Sequence, residues 1–197
     1  MNKTRLEAFS DGVLAIIITI MVLEIKVPHE ASFESLFSIA AVFVSYVLSF
    51  IYVGIYWNNH HHLLHSLETV DGKILWANLH LLFWLSLIPF ATGWMGENNF
   101  AGPTLAVYGF VLFMSAIAFW ILKNKIISIQ GDKSILKKAV RSDVKGKVSP
   151  LLYLIGIGFS FYSQWISGAI YIFVALMWLI PDTRIEKIIK EKEEEKE

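Results

Sequence analysis

The sequence predicts an all-α integral membrane protein with six transmembrane helices per subunit and both termini in the cytoplasm. Three observations carry that expectation. Of 197 residues, 55% are hydrophobic and only 17% charged, whereas soluble domains hold about a quarter charged residues. The apolar residues fall in long runs separated by short polar breaks. On a six-span path that starts inside, all of the 17 Lys and Arg residues except Lys26 fall on the inner side, as cytoplasmic loops require. The zero formal net charge argues against a nucleic-acid binder, and the lack of cysteine excludes disulfide frameworks, thiolate metal sites and cysteine nucleophiles.

The elements follow from the breaks. The first run, 5–26, ends before Pro28, and the second, 33–65, closes on a polar, histidine-rich end. The third, 73–95, stops at Gly96-Glu97-Asn98-Asn99, and the fourth, 101–123, opens on Gly102-Pro103, breakers that mark turns and helix starts. The basic stretch Lys123 to Lys147 reads as an inner loop. The fifth and sixth runs, 149–163 and 165–181, are divided only by Ser160, Ser163, Gln164 and Ser167. Two helices are preferred to one, because a single crossing would strand the basic residues of the tail outside. Residues 1–181 are thus expected to form a six-helix transmembrane domain. Residues 182–197 form a charged cytoplasmic tail whose Glu186/Lys190 and Lys187/Glu191 pairs suit a solvated helix. The first run is not a cleavable signal, since Asp11 interrupts it and no small-residue cleavage site precedes Glu24.

That first helix is unusual. Between Asp11 and Glu24 lie only twelve uncharged residues, about 18 Å of helix against a hydrocarbon core near 30 Å. A span bracketed so closely by carboxylates belongs inside a bundle or beside water, where intramembrane charges carry function. On a helical wheel Gly12, Ile16, Thr19, Ile20 and Leu23 share one sector, with Ser10 and Asp11 on the far side. The stripe is either a packing surface or a pore lining. The first and second helices run antiparallel, so Arg5, Ser10 and Asp11 lie at the depth of Trp57, Asn58, Asn59, His60, His61, His62 and His65. A buried polar network locking the two helices is expected, because an unpaired charge away from water costs several kcal/mol. His61 and His65 have the spacing of a metal pair, but no Cys or HExxH pattern accompanies them, so interface histidines are preferred to a metal site.

Arg5-Leu-Glu-Ala-Phe9-Ser10-Asp11 resembles the RxxxFSD signature of the transmembrane protein 175 family of potassium channels, and Gly12 to Pro28 resembles its pore helix. Trp57-Asn-Asn-His60 resembles the Trp and His that the family sets against that helix. The single six-span unit looks like the short prokaryotic form, in the cell membrane. The resemblance implies a homotetramer whose four first helices line a central potassium pathway. It implies constriction layers at Ile16, Ile20 and Leu23, with Thr19 as the hydroxyl beside them. The polar network implied is Arg5, Ser10, Asp11, Trp57 and His60, with His61 a competitor for the last place. No cofactor is implied beyond permeating potassium; the partners are further copies of the chain and the bilayer, with no nucleic acid.

Physically, a ring of aliphatic side chains offers no oxygen ligands, so it gates by excluding water and favours potassium only modestly. Glu24 at the outer mouth would concentrate cations, with Lys26 opposing it. The competing reading is a secondary transporter or cation/proton exchanger using Asp11 and the histidine cluster. An enzyme is not expected, since no nucleophile elbow, metal-ligand motif or phosphate-binding glycine loop occurs.

Overall fold

A computed structural model describes residues 2–67, 69–131 and 143–179. Among them every regular element is a helix. The first, α1 (Lys3–Leu23), is capped by Asn2, whose side chain accepts from the Thr4 amide at 3.2 Å, and it buries Leu6, Ser10, Leu14, Ile17 and Met21 at helical spacing. A short α2 (Phe33–Ser38) leads through Ile39 into α3 (Ala40–His65), so the run expected over 33–65 is divided near its outer end. Next come α4 (Gly72–Ser86), capped by Asp71, and α5 (Ile88–Glu97). The break at Leu87 within the run expected over 73–95 has a local cause: Pro89 has no amide to donate and its ring crowds the preceding turn.

Helix α6 (Gly102–Gln130) runs past its expected end at 123 into the basic stretch. The reason is Lys123, which is buried rather than looped out and forms an ion pair with Asp143, the N-cap residue of α7 (Val144–Ser160). That pairing, with Asp143 also accepting from the Gly146 amide at 2.8 Å, starts α7 five residues before the expected 149. A turn at Phe161 and Tyr162 precedes α8 (Gln164–Leu179), so the boundary read from Ser160 to Ser167 is a real one. Among the described residues four segments are long and apolar enough to cross a membrane: Lys3–Leu23, Ala40–His65, Gly72–Glu97 and Gly102–Gln130; Gln164–Leu179 is a shorter apolar helix. The tail at 182–197 lies outside the described residues.

Two sets of contacts define the ends of the molecule. Lys3 Nζ donates to the His65 carbonyl at 2.5 Å and Gln130 Nε2 to the Ser66 carbonyl at 2.5 Å, which gathers the start of α1 and the ends of α3 and α6 at one end. At the other, Lys26 bonds Glu97 at 2.7 Å, just beyond α1 and at the end of α5. Between them α1 rests on α3, α4 and α5, while α6 packs on α4, α5 and α7, and α8 joins α7 to α3. The second bundle centres on the rings of Tyr52, Tyr108, Tyr153 and Tyr171, whose centroids lie 5.9 to 6.4 Å apart. Tyr171 fits because Gly109 and Gly156 flank it, where a Cβ would stand 2.6 Å from Cζ and 2.5 Å from Cε1 respectively.

Candidate functional site

Helix α1 has two faces of opposite character. Leu6, Ser10, Leu14, Ile17 and Met21 are at most 3% exposed, but Ile16 is 59%, Ile20 42% and Leu23 76% exposed, with Gly12 and Thr19 on the same open side. The structure therefore places the whole predicted stripe on a face that no other described residue covers. Thr19 Oγ1 donates its proton to the Ala15 carbonyl at 2.9 Å, so its lone pairs remain as the oxygen acceptor on this face.

The opposite face is held by a polar chain. Ser10 Oγ donates to the Leu6 carbonyl at 2.9 Å, and its proton thus committed, it accepts from Asn78 Nδ2 at 3.0 Å. Asn78 then presents Oδ1 to His60 Nε2 at 2.7 Å, which makes that nitrogen the donor. Ser10 and Asn78 have no exposed surface and His60 has 1%; in lipid every such group must find its partner within the protein. One turn nearer the open face, Trp57 Nε1 donates to Asp11 Oδ1 at 3.0 Å. Of the expected network, Ser10, Asp11, Trp57 and His60 thus come together at the α1, α3 and α4 junction. His60, not His61, is the inward histidine: His61 is exposed and stacks between Trp57 and His65.

Two residues stand differently from expectation. Asn78, the centre of the chain, escaped notice in the sequence because a single Asn inside the run Leu75-Trp-Ala-Asn-Leu79 carries no spacing signal. Arg5, which the resemblance sets in the polar network, is exposed and bonds through its side chain to no described residue. Six residues of helix rotate the chain by about 600°, which sets Arg5 and Asp11 roughly 120° apart around α1. Arg5 consequently lies on the side of Ile16.

At the other end Lys26 is engaged with Glu97, whose hydrogen bond and charge raise its pKa above the ordinary lysine value. Lys26 is thereby drawn toward α5, and the exposed Glu24 remains beside Gly93. Deeper in, Thr92 Oγ1 lies 2.7 Å from Ser49 Oγ, which lies 3.0 Å from Tyr108 Oη, a hydroxyl chain that joins α5, α3 and α6 behind Met21. Among the described residues no three His, Asp or Glu side chains stand together as a metal site.

A family model described as "Endosomal/lysosomal potassium channel TMEM175" matches residues 5–89, the segment that holds α1, the polar chain and the first part of α5. A potassium channel of Chryseobacterium sp. is 59% identical over 191 residues, covering 97% of this chain and all of that one. The chain belongs to the TMEM175 family. A potassium channel of Chamaesiphon minutus is 31% identical over 190 residues, 89% of this chain and 93% of its own. The crystal structure of a lysosomal potassium-selective channel TMEM175 homolog from the same organism superposes with a TM-score of 0.77 at 29% identity, covering 91% of this chain and 97% of that one. The relatives are named as channels, not enzymes, and with its long apolar helices the chain is a multi-pass membrane protein.

Proposed function

We propose that the protein is a potassium-permeable cation channel of the cell membrane, a homotetramer whose four α1 helices surround the ion pathway. The observation that carries this reading is the uncovered face of α1. A helix with so short an uncharged stretch, bracketed by exposed Asp11 and Glu24, is costly against lipid and far less so around a water-filled axis. Copies of the chain meeting on that face place Ile16, Ile20 and Leu23 as aliphatic layers and Thr19 oxygens between them. The layers exclude water when they close and pass partly dehydrated ions when they part, so weakly hydrated potassium is favoured over sodium by a modest factor. Glu24, with Lys26 turned to Glu97, supplies negative charge at the outer mouth. Arg5 finds its partner across a subunit boundary and joins the polar network there. Six crossings with both ends inside are consistent with the separation of α7 and α8.

The test is a bilayer recording of the purified protein with potassium on one side and sodium on the other. A channel gives currents whose reversal potential reports selectivity; an exchanger gives saturable, proton-coupled flux without matching current, and that result would refute the proposal. Ile16→Ser and Leu23→Ser should raise conductance severalfold, and unchanged flux in both removes these residues from the pathway.

A further inference from the structure

The outer end of α1 carries two opposite charges, Glu24 and Lys26, two residues apart. Taken alone they cancel, and a cation arriving there would meet no net attraction. A third charge, from a distant part of the chain, decides the balance. Lys26 Nζ donates to Glu97 Oε1 at 2.7 Å, a charge-assisted bond between the segment beyond α1 and the last residue of α5. The Glu24 carboxylate lies over Gly93, where an added Cβ would stand 3.7 Å from Oε2. Gly93 and Glu97 are four residues apart and so share one face of α5. Glu24 and Lys26 therefore meet the same face, one turn apart. The hydrogen bond and charge of Glu97, and more weakly the charge of Glu24, raise the Lys26 pKa above the ordinary lysine value, so the three groups interact as one cluster.

Glu97 is a fixed anchor. Gly96 presses α5 against α3, since a Cβ there would stand 2.7 Å from Val42 Cα and 2.5 Å from Ser45 Oγ. Beyond Glu97 the chain turns with Asn99 at φ 48° and Phe100 at φ 60°. Left-handed backbone is uncommon for asparagine and rarer for a bulky side chain. Here it is held by the Phe100 amide, which donates to the Met95 carbonyl at 3.0 Å, and by Asn98 Nδ2, which donates to the Trp94 carbonyl at 2.8 Å. The C-terminus of α5 also carries the negative end of its helix dipole, which favours an ammonium at that place.

We propose that Glu97 is a positioning residue for cation entry: it holds Lys26 against α5, cancels its charge and leaves Glu24 as the uncompensated charge of the outer mouth. The inference rests on the reading of α1 as the lining of the ion pathway and names the residue that sets the sign of its outer end. With two carboxylates and one ammonium each chain presents a net charge of −1 there; without Glu97 the sum is zero and the ammonium is free to swing toward the pathway. Fixed charges at a mouth set the local cation concentration, and therefore entry from that side, through a field that salt screens.

The test uses outside-out patches from cells expressing the full chain, in which the outer face meets the bath. At about 0.01 M bath potassium, where charges act over about 30 Å, Glu97→Gln should lower inward current about two- to threefold and leave outward current nearly unchanged. At about 1 M, where that reach falls to about 3 Å, the difference should vanish. Lys26→Gln should raise inward current at low salt, and K26Q/E97Q, whose net charge equals the parent's, should return it to the parent level. Thermal unfolding should stay close to the parent's in all three, because exposed ion pairs contribute little to stability. Where Glu97→Gln alone fails to reach the membrane, the fall from Lys26→Gln to K26Q/E97Q reads the same charge. An unaltered inward current in Glu97→Gln, an equal loss at both salt concentrations, or a K26Q/E97Q protein as impaired as Glu97→Gln would overturn the assignment while the channel reading stands. No current at all from the unaltered protein would overturn the channel reading and this inference with it, so the two failures are distinct.

Discussion

Replacing Asn78 by leucine isolates what the polar chain contributes. Asn78 is wholly buried and bridges Ser10 on α1 to His60 on α3. Leucine nearly matches its size, so packing changes little, but the His60 Nε2–H loses its acceptor while Ser10 keeps its own bond to Leu6. A buried donor left unpaired costs about 1–3 kcal/mol, and interhelical side-chain bonds inside membrane proteins average only about 0.6 and reach about 1.7 kcal/mol. We therefore expect Asn78→Leu to cost about 1–2 kcal/mol, roughly a tenfold change in the folding equilibrium. His60→Leu should cost a similar amount. The double variant should fall short of the sum by about 0.6–1.7 kcal/mol, because the second substitution removes a partner already lost. Unfolding in mixed micelles, followed by tryptophan fluorescence, provides the cycle. Additive costs, within about 0.3–0.5 kcal/mol, would show that His60 and Asn78 do not act together and would refute the donor assignment.

Asp11→Ala leaves the Trp57 indole without its acceptor and should reduce assembly and expression while Asp11→Asn, which keeps an acceptor oxygen, restores both; a well-assembled Asp11→Ala protein with altered ion preference would overturn the structural role, as size-exclusion chromatography and reversal potentials would show. Gly109→Ala pushes a methyl into Tyr171, whose hydroxyl donates to the Leu105 carbonyl at 3.2 Å, and should cost about 1–3 kcal/mol as overpacking does; thermal unfolding unchanged from the parent would contradict the packing described. Burial pushes the Asp143 carboxyl up, but the Lys123 ammonium and the Gly146 amide outweigh it and hold its pKa below the ordinary 3.8. A depressed folded-state pKa contributes stability that is present above the unfolded value and lost as pH falls through the folded one. Acid unfolding below about pH 4 should therefore be less steep in the K123M/D143L protein, and identical acid profiles would remove the pair from the balance.

What the sequence disclosed of the fold was what depends on one segment at a time. Apolar run length, the Gly96 to Asn99 turn and the weak Ser160 to Ser167 break all act locally, and each marks a boundary in the structure. The errors arose where a residue's partner lies elsewhere in the chain. Lys123 looked like the first residue of a basic loop because isolated lysines normally seek water; only the proximity of Asp143 makes it an interior residue that lets α6 continue to Gln130. The division at Leu87 was legible in principle, since Pro89 is a local signal, but the uninterrupted hydrophobicity around it masked the bend.

The candidate site divides in the same way. Its open stripe was legible because the 3.6-residue period alone sorts Ile16, Ile20 and Leu23 onto one side of α1, and their exposure in the structure follows from that geometry. The choice of His60 over His61 could not be made so, since adjacent residues on a helix differ by about 100° and the buried direction depends on how α3 is rotated against α4. Asn78 decides it. Once that residue is seen to meet Ser10 with its amide, only one imidazole can reach its oxygen. The polar chain is thus a register mark: in the rotation that α3 adopts, His60 meets Asn78, while Asn59 bonds back to the Ile55 carbonyl and His61 stacks between Trp57 and His65. The same rotation sets the Trp57 indole where it holds Asp11 beside the open face of α1.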